Sequence, residues 1–298
     1  MRLDDLDPSK NTQDQGRGGG RTGSRGGGAG LSVLLGLLPM LFGKKKMGCG
    51  TIAIIIGIGA FLYFSGSGGQ MLSSGSVGSG TGTQSANNVA CDDPAELFAC
   101  RVLRSTEITW GDIFQKNGQR YAAPKMVFYQ GSGQSGCGSA QSAMGPFYCP
   151  ADQGIYLDTS FFAELSNKFG AKGDFARAYV IAHEVGHHIQ TVTGTSEQVR
   201  RAQGRASKTQ GNALQVKMEL QADCYAGVWA NRNQDRLEPG DVEEGMRAAN
   251  AIGDDTLMRA AGRRAVPESF THGSAQQRMA WLRRGMQTGD VNSCNTFK

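Results

Sequence analysis

The longest apolar stretch of the chain lies close to its start. Residues 47–64 contain no charged side chain, and a membrane-spanning helix needs about 20 apolar residues. Eight cations precede this stretch, three of them directly, and no charged residue lies between residues 65 and 91. This one-sided excess predicts a single-pass signal anchor, with the N-terminus in the cytoplasm and the rest of the chain outside.

Two other interpretations of this region stay open. A cleaved signal peptide fits less well, because its apolar core is about 7–15 residues long and lies nearer the N-terminus. Residues 31–42 form a second apolar run, which contains Pro39 and is too short to span a membrane. Such a run can lie in the membrane interface, or pair with 47–64 as a helical hairpin. The hairpin would put the N-terminus and the bulk of the chain on one side.

Residues 1–30 are almost without apolar side chains and cannot bury enough surface to fold. Residues 1–46 as a whole are expected to be a disordered, basic cytoplasmic tail. Residues 65–90 are rich in Gly, Ser and Thr, which is typical of a flexible linker. The folded domain is therefore expected over residues 91–298.

From residue 91 onward the apolar positions predict a few short strands and then a series of helices. Strands are predicted at 124–130, 143–149 and 154–158, with a Gly/Ser-rich loop at 131–142. Helices are predicted at 93–104, 159–169, 174–193, 212–232, 240–262 and 274–286. This order is typical of the α+β class. We expect a small, mostly antiparallel sheet beside helix 174–193 and a helical C-terminal part.

Composition excludes several classes of protein. The chain has 298 residues, 44 glycines and a net charge of +5, and it is neither a collagen, a coiled coil nor a polytopic membrane protein. Most of the net charge lies in residues 1–46, and the domain has only separated arginine pairs, at 200–201, 263–264 and 283–284. A nucleic-acid-binding face needs clustered cations, so no nucleic-acid partner is expected.

Six of the seven cysteines follow the apolar stretch. An even number beyond an export signal predicts disulfides in an oxidising compartment. The pairs closest in sequence are Cys91 with Cys100 and Cys137 with Cys149, but the pairing of all six, which include Cys224 and Cys294, stays open. No two cysteines form a C-x-x-C pair, which speaks against a cysteine-rich zinc knuckle.

Three of the four histidines lie in one motif, H-E-V-G-H-H at 183–188. On the predicted helix, His183 and His187 lie one turn apart on one face, and two neutral imidazoles there can bind one Zn²⁺. Glu184 can then act as a general base on water held by the metal. A charged carboxylate among apolar neighbours is costly unless it has a task, so the pattern favours a metal site. His188 points elsewhere on the helix and is expected to have a structural or supporting role.

Predicted helix 212–232 supplies the third ligand. Glu219 and Asp223 are four residues apart and share one face of that helix. Glu219 would complete a His₂Glu site for one zinc ion per chain, with the fourth position left for water. Asp223 would accept the outer N–H of a ligating histidine, and Asp223 as the ligand itself is the open alternative. The residues after His187 lack the third histidine of a metzincin.

Several separated motifs occur in the order of a known family. The H-E-x-x-H motif followed by Glu219-x-x-x-Asp223 resembles the gluzincins, the thermolysin-like zinc proteases. The segments AMGPFYCP at 143–150, IYLD at 155–158, HEVGHHIQ at 183–190 and ELQADCYAG at 219–227 resemble the bacterial family of putative neutral zinc metallopeptidases, which have one N-terminal membrane anchor. The resemblance covers about residues 91–290 and implies a zincin-like fold and hydrolysis of peptide bonds.

The fourth histidine lies in residues 269–278, which resemble the late histidine segment of membrane-associated gluzincins. There a histidine opens a helix and an arginine follows on it. The resemblance implies that His272 or Arg278 is catalytic and donates to the oxyanion of the tetrahedral intermediate. One such donor contributes about 2.7–4 kcal/mol.

These features together predict a membrane-anchored zinc metalloendopeptidase, with its domain in the periplasm or at the cell surface. A zinc-activated water and Glu184 would hydrolyse a peptide or protein substrate, and the strand at 142–148 would bind it as an added strand at a sheet edge. One alternative is a catalytically silent or latent zinc-binding envelope protein that acts as an adaptor. Another is a binding module with structural zinc, but that needs four protein ligands, and the sequence offers three. Substrate and oligomeric state do not follow from the sequence.

Overall fold

The structure, a computed structural model, describes residues 1–17 and 90–298. The predicted anchor at 47–64, the apolar run at 31–42 and the linker up to residue 89 lie outside these ranges. Among the described residues, none of the helices combines the length and the apolar character that crossing a membrane requires.

Helices make up most of the described chain. Eight α-helices occur in residues 1–17 and 90–298: α1 Pro94–Lys116, α2 Ser160–Asn167, α3 Asp174–Val192, α4 Thr195–Gln203, α5 Lys208–Arg232, α6 Asp241–Ala251, α7 Asp254–Ala260 and α8 Ala275–Thr288. Side chains cap three of them at their N-termini, since Asp93 accepts backbone N–H groups of α1, while Ser207 and Ser274 form capping boxes on α5 and α8. Such caps satisfy N–H groups that the first turn leaves without a partner.

Six strands form two sheets in the described residues: β1 Thr12–Arg17, β2 Lys125–Gln130, β3 Ser132–Ser135, β4 Gly138–Gln141, β5 Phe147–Cys149 and β6 Gly154–Leu157. The larger sheet has the order β1-β2-β6-β5, and β3 and β4 form a separate hairpin. Strands β1 and β6 both run parallel to β2, whereas β5 is antiparallel to β6. The α+β class is confirmed.

The prediction of a mostly antiparallel sheet is wrong. Two of the three pairings in the four-stranded sheet are parallel. Hydrophobic periodicity tells which side chains face the core but carries no information on strand direction. After β2 the chain passes through the β3–β4 hairpin and enters the sheet again as β5 at the far edge. It then reverses into β6, which runs in the direction of β2.

Several boundaries also differ from the predicted ones. Helix α1 runs 12 residues beyond the predicted end at residue 104, and the loop predicted at 131–142 contains the β3–β4 hairpin. The single helix predicted at 240–262 is divided into α6 and α7. Gly253 separates them in an extended conformation, and a Cβ atom there would lie 2.3 Å from the backbone nitrogen of Ala275. The first residue of α8 therefore packs against the break between α6 and α7.

Residues 1–17 belong to the fold, so the prediction of disorder is wrong for this part of the tail. Met1 and Leu3 are buried in the main hydrophobic core, and β1 pairs along the edge of β2. The composition of residues 1–30 as a whole does not reveal this, because their few large apolar side chains stand at the very beginning. There they contribute to a core built mainly by distant residues.

Polar contacts hold the same segment. The buried carboxylate of Glu107 on α1 accepts hydrogen bonds from Ser9 at 2.5 Å and from Asn11 at 2.7 Å, and Asp4 forms a 2.6 Å ion pair with Arg101. These contacts attach the N-terminal segment directly to α1.

Three disulfides link the six cysteines that follow the linker. Cys91–Cys100 and Cys137–Cys149 confirm the two predicted local pairs. The third bond, Cys224–Cys294, joins the middle of α5 to the C-terminal turn. The first bond fixes the segment before α1, the second ties the turn of the β3–β4 hairpin to β5, and the third fixes the C-terminal segment.

We expect Leu3→Ala to destabilise the full-length protein by about 2–5 kcal/mol, because it removes a core side chain and leaves a cavity. Leu3 is only 2% exposed. Thermal or urea unfolding measures the effect. The exposed residue Asp7 provides the control as Asp7→Ala, which should unfold like the wild type. Equal stability of both variants would mean that residues 1–17 do not belong to the core.

Candidate metal centre

The site is formed where α3 crosses α5. A Cβ atom at Gly186 would lie 2.9 Å from both the Cα atom and the carbonyl oxygen of Ala222. Real Cβ atoms do not approach backbone so closely, so only glycine permits this spacing of the two helices. The crossing brings the H-E-V-G-H-H motif of α3 against the Glu219–Asp223 face of α5.

Three potential ligand atoms converge at this crossing. His183, His187 and Glu219 each offer one atom, and these atoms all lie within 4.8 Å of one another. The Nε2 atom of His183 is 3.2 Å from Oε2 of Glu219, and Nε2 of His187 is 3.5 Å from the same oxygen. Two imidazoles and one carboxylate are a donor set that suits Zn²⁺ and leaves a position for water.

Each of the three side chains is oriented by a further hydrogen bond. Nδ1 of His183 lies 2.8 Å from Oδ1 of Asp223. Nδ1 of His187 lies 2.8 Å from the side-chain oxygen of Gln190, and the free oxygen of Glu219 accepts a 2.9 Å bond from Gln215. Partners of this kind fix the orientation of metal ligands and raise their affinity for the metal.

Asp223 is fully buried behind His183 rather than among the converging ligand atoms. The side chain of Arg278 on α8 donates to both of its carboxylate oxygens, at 2.9 Å each, and Tyr179 donates a 2.6 Å bond. A buried carboxylate needs such partners, because desolvation disfavours its charged form. Burial raises the pKa of Asp223, but the charges of Arg278 and His183 outweigh burial and keep it below its usual value.

This geometry corrects the role expected of Arg278. The side chain is 2% exposed, and its nitrogens contact Asp223, Tyr179 and the carbonyl oxygen of Ile252. Arg278 therefore lies behind the metal ligands, where it holds Asp223, and it is not positioned to donate to an oxyanion on the substrate side.

Opposite charges stabilise one another in the ligand cluster. Burial raises the pKa of Glu219, but the adjacent imidazoles of His187 and His183 outweigh it and hold the pKa well below its usual range. Burial also lowers the pKa of His183, yet the carboxylates of Asp223 and Glu219 raise it to about 9. The pocket thus keeps Glu219 in its carboxylate form, because positive charge lies next to it. A bound dication would supply positive charge at the same place.

Glu184 lies next to the ligand cluster and is 6% exposed. Burial raises the pKa of its carboxyl group, while the charges of His187 and His183 and a hydrogen bond from the backbone of Tyr148 act in the opposite direction. A raised pKa makes a carboxylate a stronger base. Its position and its pKa therefore suit a general base.

His272 approaches the site from the loop before α8. Its Nδ1 atom is 3.2 Å from Oδ1 of Asp254, and the other oxygen of Asp254 accepts backbone N–H groups of Thr271, His272 and Gly273. Burial lowers the pKa of His272, but the bond to Asp254 and the charge of Glu219 outweigh it and raise the pKa. In the described part of the chain, the hydrogen bonds of the His272 ring are made by Nδ1 and none by Nε2.

Sequence reasoning missed four residues that support the site. Three of them stand three or four positions from a ligand on the same helix, and that spacing was a usable signal: Tyr179 before His183, Gln190 after His187 and Gln215 before Glu219. Asp254 gave no such signal. It reaches His272 only because α7 packs beside the start of α8.

Comparisons with known proteins identify the family to which this chain is similar. A family model described as "Putative neutral zinc metallopeptidase" matches residues 1–297. The Escherichia coli (strain K12) protein named "Uncharacterized protein YpfJ" is 52% identical over 208 residues, which cover 69% of this chain and 72% of that protein. "Uncharacterized protein Rv2575" from Mycobacterium tuberculosis (strain H37Rv) is 41% identical over 221 residues, covering 69% and 72%. No solved structure matches the chain significantly.

We expect Gly186→Ala to lower stability by about 1–3 kcal/mol, as overpacking does, and to weaken zinc binding by separating α3 from α5. Gly211→Ala is the matched control, because Gly211 is also helical but nothing lies within 4 Å of a Cβ atom there. That control should be neutral or stabilising by up to about 1 kcal/mol. Unfolding curves and zinc titrations measure both effects, and similar behaviour of the two variants would contradict the close crossing.

We expect Asp223→Asn to weaken zinc binding by about 10–100-fold, because the amide no longer provides the charged acceptor for His183. Competition with a chromophoric chelator measures the affinity. Asp112 is exposed, so Asp112→Asn is the control and should bind zinc like the wild type. An unchanged affinity in Asp223→Asn would exclude the proposed support of His183.

Proposed function

The chain belongs to the family of putative neutral zinc metallopeptidases, and on this premise we propose that it is a zinc metalloendopeptidase acting on peptides or proteins. The observation that carries the proposal is the position of Glu184, a buried carboxyl group beside three converging ligand atoms. A site that only stabilised the fold would need four protein ligands, and it would have no use for an additional buried carboxyl group.

His183, His187 and Glu219 would hold one zinc ion. When bound, zinc lowers the pKa of a coordinated water and polarises the carbonyl group to be attacked. Hydrogen bonds would keep the three donor atoms turned toward the metal position. Asp223 would hold His183, Gln190 would hold His187 and Gln215 would hold Glu219. In this way the chain supplies an oriented donor set before the metal arrives.

Glu184 moves the proton. As a carboxylate it accepts a proton from the attacking water, and it then returns that proton to the leaving amine. Its raised pKa supports the first step, since a stronger base accepts a proton more readily. Nε2 of His272 would donate to the oxyanion that forms in between, and Asp254 would hold the ring in place.

Strand β5 would bind the substrate. It is an edge strand of the four-stranded sheet. It pairs with β6 on one side, and no other strand of the described residues pairs with it on the other side. Its Tyr148 also contacts α3. An extended peptide could therefore bind along this edge through main-chain hydrogen bonds, close to Glu184.

We also propose that residues 47–64 anchor the protein in the cell membrane and that the domain lies outside the cytoplasm. Three disulfides support an oxidising compartment. The contacts of residues 1–17 with the domain add a condition to this topology: the N-terminal segment must lie on the same side as residues 90–298. A helical hairpin of residues 31–42 and 47–64 would meet that condition.

The test replaces Glu184 by Gln in the full-length protein. Glu184→Gln should retain one zinc ion per chain and lose about 100–10,000-fold of its peptide cleavage, as expected when a general base is removed. The exposed residue Glu243 provides the control as Glu243→Gln, which should cleave like the wild type. Metal analysis and a peptide library measure the two properties.

Two results would contradict the proposal. If Glu184→Gln cleaved as well as the wild type, Glu184 would not be the base. If the wild type bound one zinc ion and cleaved no peptide in the library, the zinc-binding adaptor would become the better interpretation.

A further inference from the structure

One histidine of the motif has no part in the proposed chemistry. His188 is fully buried, and it follows the potential ligand His187 by one position on α3, so its side chain leaves the helix in a different direction. Its Nδ1 atom lies 3.1 Å from the hydroxyl oxygen of Tyr148 on β5, and its Nε2 atom lies 2.7 Å from the carbonyl oxygen of Ala122. The ring thus bridges three separate parts of the chain.

The direction of these two bonds follows from their partners. A carbonyl oxygen can only accept, so the proton of the neutral ring is on Nε2, which donates to Ala122. Nδ1 is then an acceptor, and the hydroxyl of Tyr148 must donate to it. Helix α3 therefore holds the side chain of Tyr148 through His188.

The backbone of the same tyrosine reaches the general base. Its N–H group hydrogen-bonds to Glu184. Tyr148 pairs with Ile155 of β6, between the pairs Phe147–Tyr156 and Cys149–Gly154. Because backbone groups in an antiparallel strand point alternately toward and away from the partner strand, an N–H that reaches Glu184 faces away from β6. It lies on the open edge, where a peptide would bind.

We propose that His188 is a positioning residue that fixes the distance between the open edge of β5 and the metal-binding helix. The geometry that supports this is the double contact of Tyr148: its side chain is held by His188, and its backbone meets Glu184, four residues earlier on the same helix. The consequence for substrate binding rests on the proposed peptidase function. The mechanical connection between α3 and β5 does not.

Substitutions can separate the two bonds of the ring. His188→Gln places an amide group near the position of Nε2, which keeps a donor for Ala122 and removes the acceptor for Tyr148. His188→Asn places an oxygen near Nδ1, which keeps the acceptor and loses the donor. Tyr148→Phe removes the hydroxyl from the other side. Tyr121→Phe is the matched control, because the ring of Tyr121 also packs edge-on against His188 while its buried hydroxyl has no partner.

The first readout is amide hydrogen exchange in the full-length, zinc-loaded protein. Tyr148→Phe and His188→Gln should each speed exchange at residues 147–149 by about tenfold, the effect of one lost hydrogen bond of about 1.4 kcal/mol. Exchange in the rest of α3, and zinc stoichiometry, should not change. His188→Asn should have a smaller effect at β5, and Tyr121→Phe should have none.

The second readout is the kinetics of peptide cleavage. Tyr148→Phe and His188→Gln should raise KM for extended peptides several-fold and change kcat less. The double variant should be no worse than either single variant, because both remove the same bond.

The outcomes distinguish this inference from the proposed function. Unchanged exchange at residues 147–149, or fully additive effects in the double variant, would overturn the positioning role and leave His188 as a packing residue. If exchange responds as expected while the wild type cleaves no peptide, the positioning role stands and the peptidase function fails. If Tyr121→Phe also speeds exchange at β5, the effect is one of general packing, and the inference is wrong.

Discussion

The close crossing of α3 and α5 is the constraint on which the site depends. Two ligands lie on one helix and the third lies on the other, so the donor atoms converge only if the helix axes approach closely. Gly186 against Ala222 makes that approach possible. A second close contact follows the same logic, since Gly227 of α5 meets Gly285 of α8. It brings α8 near enough for an arginine to reach the buried side of the metal centre.

Charge balance explains why the residue types behind the ligands matter as much as those of the ligands themselves. Asp223 is fully buried, and a lone buried carboxylate would cost several kcal/mol. Arg278 offsets that cost with two hydrogen bonds, and the carboxylate in turn orients His183. Through Asp223 the arginine thus helps to orient a potential metal ligand. A motif in sequence shows that a residue belongs to the site, but it does not show on which side of the metal it lies.

The first 17 residues change the description of the whole protein. As a strand and a pair of core residues, they complete a sheet whose remaining strands follow more than 100 residues later. The sheet would otherwise end at β2, with an open edge that favours association with other chains.

The sequence by itself determined which side chains form the candidate metal centre. Helical spacing was enough to place His183 with His187 and Glu219 with Asp223, since residues three or four apart on a helix share a face whatever surrounds it. Only the tertiary structure decided that β1 joins the sheet, that most of the sheet is parallel, that Arg278 faces the buried side and that Asp254 holds His272. These are contacts between residues distant in the chain. Local periodicity contains no record of them, because they depend on how whole elements pack against one another.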